Sequence, residues 1–82
     1  MKSEKFIANL RQISKDKAGR IVIWGLLEHA RIHQSVFDSN ASLMAFREGE
    51  RNFGLWLEDC LTKVNPNLIY EIAKEINDDN DK

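Results

Sequence analysis

Apolar residues recur at three- and four-residue spacing along almost all of this chain, and that period is the feature that most limits what it can fold into. Over residues 3–13 the stripe is Phe6, Ile7, Leu10 and Ile13. Over residues 16–32 two stripes adjoin, one of Ile21, Trp24 and Leu27 and one of Ile23, Leu26 and Ala30. A helix apolar round most of its circumference belongs at the centre of a domain, and Trp24 is expected in the core. A third segment, 41–64, turns Leu43, Phe46, Phe53, Leu57, Cys60 or Leu61 and Val64 inward, with Glu50 falling on the same stripe. A fourth, 66–76, sets Ile69, Ile72, Ala73 and Ile76 against Glu71, Lys74 and Glu75. No segment alternates with the two-residue period of a half-buried strand.

The breaks between these segments are chemical. Residues 14–17 are polar, and residues 33–40, HQSVFDSN, lose the period where Asp38, Ser39 and Asn40 favour turns and caps. Pro66 pushes Asn65 out of the α region and fits a helix's first turn, with Asn65 placed to cap the fourth helix. The pattern predicts an all-α fold, a small bundle of three to four helices built on an antiparallel hairpin of the second and third. Residues 1–76 are expected to form a single helical domain, and residues 77–82, charged and turn-forming, a disordered tail.

With 82 residues there is one core to build, and a chain of this size buries only about 60–65% of its unfolded surface. Small domains draw support from disulfides, a metal or oligomerisation, and one cysteine, Cys60, removes the first. Twelve Lys and Arg against thirteen Asp and Glu leave a net charge of −1, so no positive field gathers nucleic acid. The longest apolar run is too short to span a bilayer, and the N-terminal stretch has the make-up of neither a signal peptide nor an anchor. The expectation is a soluble intracellular protein with no membrane partner.

His29 and His33 stand four apart, the spacing that aims two imidazoles at one ion, but a zinc site needs further ligands that the sequence does not place. Cys60 with either histidine lacks an orienting group and an oxyanion site, and a small buried thiol is the simpler reading. The chain is therefore expected to be no enzyme, with no cofactor and no metal. Gly25, Gly49 and Gly54 lie inside helical patterns, where each costs about 1 kcal/mol relative to alanine. Close approach of a bulky neighbour such as Trp24, Phe46 or Trp56 is the expected compensation, a kink or a partner contact the alternative. The polar block Arg47, Glu48, Glu50, Arg51 and Asn52 reads as a solvated face, or as a partly buried network reached by Arg20 and Glu28. Acidic Glu48, Glu50, Glu58 and Asp59 on the same helix argue against a DNA-recognition helix.

Gly19 and Arg20, Trp24, Leu26, Leu27 and Glu28, Ser35 and Phe37, Ala45 and Phe46, Gly49, Arg51, Asn52, Gly54 and Leu55, and Pro66 with Tyr70 together form a pattern. It resembles a small family of structural proteins of tailed phages with short tails, over about residues 18–75. Trp56, Glu58, Asp59 and Cys60 depart from that pattern, so a partner surface there would differ from that of relatives. The resemblance implies a non-enzymatic virion-associated protein, found in the virion and in the host cytoplasm during assembly. Its partners would be other virion components or copies of itself. The alternative is a small phage-encoded regulator that binds a host protein or DNA. Phe37, Trp56 and Tyr70 are the aromatic candidates for partner binding, with Arg47 and Arg51 supplying orienting charge.

Overall fold

The computed structural model of the chain describes residues 3–30 and 40–80, and these form α1 (Ser3–Ile13), α2 (Lys17–Ala30), α3 (Ala41–Val64) and α4 (Leu68–Asn80). Among the described residues there is no strand, and the fold is a small all-α bundle. Phe37 and His33 lie outside the described residues.

Among the described residues the core draws on all four helices: Leu10, Ile23, Leu27, Ala30, Leu57, Cys60, Leu61, Leu68 and Ile72. Phe6, Ile7, Trp24, Val64, Ile69 and Ile76 pack against it. Trp24 is thus a partly buried flank of the core. The C-terminal half of α3 is the hub, because α1, α2 and α4 all pack against α3, whereas α2 packs mainly against α3 and α4. This corrects the expectation that α2 is central. Its inward line is Ile23, Leu27 and Ala30, and Ile21, Val22 and Leu26 point outward at 50%, 58% and 43% exposure.

Pairing partners give the helix directions. Lys17 bonds Asp79 and Arg20 bonds Glu75, so advance along α2 is retreat along α4 and the two run antiparallel. The end of α2, Leu26 to Ala30, lies beside the first half of α3 as one wall of a shared groove, which makes α2 and α3 the antiparallel hairpin.

Caps explain the boundaries. Asn40 starts α3, its side-chain oxygen accepting from the Leu43 amide at 3.1 Å. Asn65 ends α3, its amide donating to the Leu61 carbonyl at 3.1 Å while its side chain accepts from the Asn67 amide at 3.0 Å. The Asn67 carbonyl then accepts from Glu71 at 2.9 Å, so α4 begins two residues later than proline alone suggests. It also runs on through Asn80, past the expected boundary at Ile76 and into the stretch expected to be a disordered tail. The Lys17–Asp79 pair at 2.9 Å ties that last turn to the start of α2.

The α1–α2 corner is the tightest place in the fold. The Ile13 carbonyl accepts from Asp16, and Gly19 packs against it so closely that a Cβ there would overlap that oxygen and lie 2.8 Å from its carbon. Beside it, Arg20 donates from Nη1 to the Ser14 carbonyl at 3.1 Å, and from Nε and Nη2 to the two Glu75 oxygens at 2.7 and 3.1 Å. One guanidinium therefore closes the corner and fastens it to α4. The Arg20 hydrogen bond holds the Glu75 carboxyl below its usual range, and Glu75 in turn raises Arg20. The alternative network from Arg20 to the polar block of α3 does not form, because the guanidinium is engaged on α4.

A candidate protein-docking surface

Helix α3 has 24 residues, about 36 Å of helix, whereas α1 and α4 have 11 and 13. Its buried positions are Gly54, Leu57, Cys60 and Leu61, all in the second half. Leu43, Phe46 and Phe53, expected to face inward, are instead 39%, 66% and 45% exposed. Among the described residues, the buried part of α3 is its C-terminal half, and only the end of α2 lies beside its N-terminal half.

What remains there is an open, mainly apolar groove of about 480 Å³ lined by Leu26, His29 and Ala30 of α2 and by Ala45, Phe46, Gly49, Glu50 and Phe53 of α3. Elsewhere on α2, Ile21 and Val22 are also exposed. On the α3 side the apolar surface continues through Phe53 to Trp56, whose ring lies 5.9 Å from Phe53 and 5.1 Å from Phe6, centroid to centroid. Both ring pairs are tilted, a favourable aromatic arrangement.

Of the interior glycines, Gly49 lines the groove and Gly25 is exposed on α2. A Cβ at Gly25, between Val22 and Leu26, or at Gly49, in the groove wall, would meet nothing within 4 Å. The expected close approach of a bulky neighbour is therefore absent at both, while Gly54 is buried as expected. Close packing is seen instead at Gly19, at the α1–α2 corner.

Of the candidate contact residues, Trp56 is exposed in the aromatic row and Tyr70 is exposed on α4, which contributes nothing to the groove. Arg47 and Arg51 are half-buried on α3. The structure thus brings none of Arg47, Arg51, Trp56 and Tyr70 into the groove lining. Sequence reasoning assigned Leu26, Phe46 and Phe53 to the core; the available signal was the length of the third helix, twice what its neighbours can cover.

His29 is exposed at the groove and Cys60 is buried in the core. Among the described residues no three His, Cys, Asp or Glu side chains converge as a metal site, and no helix is long and apolar enough to cross a membrane.

Fold and surface together define a small all-α protein that leaves an extended apolar face on one helical hairpin. The sequence profile of the Bbp19-like phage proteins matches residues 10–74, and the chain belongs to that family. No curated protein and no solved structure matches it.

Proposed function

We propose that the protein is a non-enzymatic component of a short-tailed phage particle that works through protein–protein contacts. The observation that carries this reading is the open, mainly apolar groove between α2 and α3 with the exposed Phe53–Trp56 row beside it, on a chain whose described residues build only a small core. Contiguous exposed apolar area of this kind marks interaction sites, and binding to the folded form adds the stability that a small core lacks. Membership of a phage protein family supports the setting. Trp56 and Phe37 are the proposed aromatic anchors, Tyr70 a separate contact on α4, and Arg47 and Arg51 the residues that orient a partner.

Quantitative mass spectrometry of gradient-purified virions tests it. The expected result is this chain at a fixed ratio to the major capsid protein. Its absence from particles, with recovery from infected cells on a host protein or on DNA, overturns the proposal in favour of a regulator.

A further inference from the structure

Helix α4 buries Leu68 and Ile72 and packs Ile76 against the core, and the turn that follows, residues 77–80, is exposed at every position. Asn and Asp are among the poorer helix formers, and Asp78 and Asp79 place two negative charges at the end of a helix whose own dipole is negative there. Local chemistry thus opposes this turn, and it is helical all the same. The mirror situation holds at the start of α2. Lys17 is its first residue and its first turn has no acidic side chain, so a positive charge meets the positive end of the helix.

Because α2 and α4 run antiparallel, these two ends are neighbours, and Lys17 Nζ lies 2.9 Å from Asp79 Oδ2. Each charge is adverse to its own helix and favourable to the other: Asp79 sits by the positive end of α2, and Lys17 by the negative end of α4. Further in, Arg20 grips both oxygens of Glu75 at 2.7 and 3.1 Å, with side chains 25% and 31% exposed. The outer pair, Lys17 and Asp79, is 56% and 41% exposed. The ladder is therefore firm at Glu75 and weak at Asp79.

We propose that residues 77–80 form an electrostatic strap, a helical turn that persists only while docked on the start of α2 and is released by electrolyte or by a competing charged group. Release stops at the Arg20–Glu75 pair. Docked, the strap engages the Lys17 ammonium; released, it frees that cation and an acidic segment in one step. What holds the turn is electrostatic and screened by salt, whereas its low helix propensity is not screened. The strap acts within one chain and does not depend on the partner that the hairpin takes.

NMR of the labelled full chain tests this, with the 13Cα secondary shift reporting helix residue by residue. Raising NaCl from about 0.01 M to about 1 M shortens the screening length from about 30 Å to about 3 Å. The helical shift of residues 77–80 is expected to fall about twofold or more, while that of residues 71–76 holds. Lys17→Gln, at an exposed side chain, is expected to produce the same loss already at low salt. Lys63→Gln removes the exposed Lys63–Asp59 pair of α3 and leaves the turn as in the wild type. A turn that stays helical in high salt or in Lys17→Gln overturns the proposal. So does a turn already non-helical in the wild type at low salt, or a loss that spreads through residues 71–76.

Discussion

Replacing Gly19 by alanine tests the corner on which the arrangement of α1, α2 and α4 depends. The new methyl group overlaps the Ile13 carbonyl oxygen and sits 2.8 Å from its carbon, and both are backbone atoms without rotamers to yield. The corner has to open by roughly 1 Å to restore an ordinary C···O separation of about 3.3 Å. That movement also draws the Ser14 carbonyl away from Arg20. Overpacking costs about 1–3 kcal/mol, and a backbone clash belongs at the upper end. Alanine returns up to about 1 kcal/mol through its helix propensity, which leaves a net loss near 2 kcal/mol. For a domain of this size that lowers Tm by roughly 10 °C. The comparison is Gly49→Ala, where nothing lies within 4 Å and the same propensity gain, up to about 1 kcal/mol, appears unopposed. Urea unfolding monitored by circular dichroism, at one low protein concentration for all three proteins, measures both. If Gly19→Ala is as stable as the wild type, or gains as Gly49→Ala does, α1 does not close onto α2 in this way.

The same packing sets two further outcomes. Ile72 is fully buried, so Ile72→Ala should cost about 2–5 kcal/mol and Ile72→Val about 0.5–1.5, read from denaturant midpoints; equal, small losses would mean that α4 is not docked on the core. Glu75 has its carboxyl held below the usual 4.5 by Arg20, so the stability this pair contributes is fully present above that value and is lost as pH falls through the lowered one. Thermal melts of wild type and Glu75→Gln should therefore differ at neutral pH and converge in acid; a gap that stays constant through the acid range would show that the pair does not form.

The sequence by itself determined the helices, because a 3.6-residue apolar period and the residues that cap or break it act within a few positions of the chain. The bounds of α1 and α3 were legible for that reason, while the structure selects Asn40 as the cap from the three candidates Asp38, Ser39 and Asn40. Inward positions were legible only where each helix has neighbours: Leu10, Ile23, Leu57 and Ile72 are buried as their stripes require. Ile13, Phe46 and Phe53 carry the same periodic signal and are exposed, since periodicity says which residues share a face and nothing about what lies opposite it. Likewise, sequence marked Gly25, Gly49 and Gly54 alike as costly within helices, and it could not say that Gly19 is pressed against a carbonyl while Gly25 and Gly49 face open space. Those distinctions depend on where α1, α2 and α4 meet α3. Tertiary structure alone decided them, because burial and steric exclusion depend on atoms brought together from distant parts of the chain.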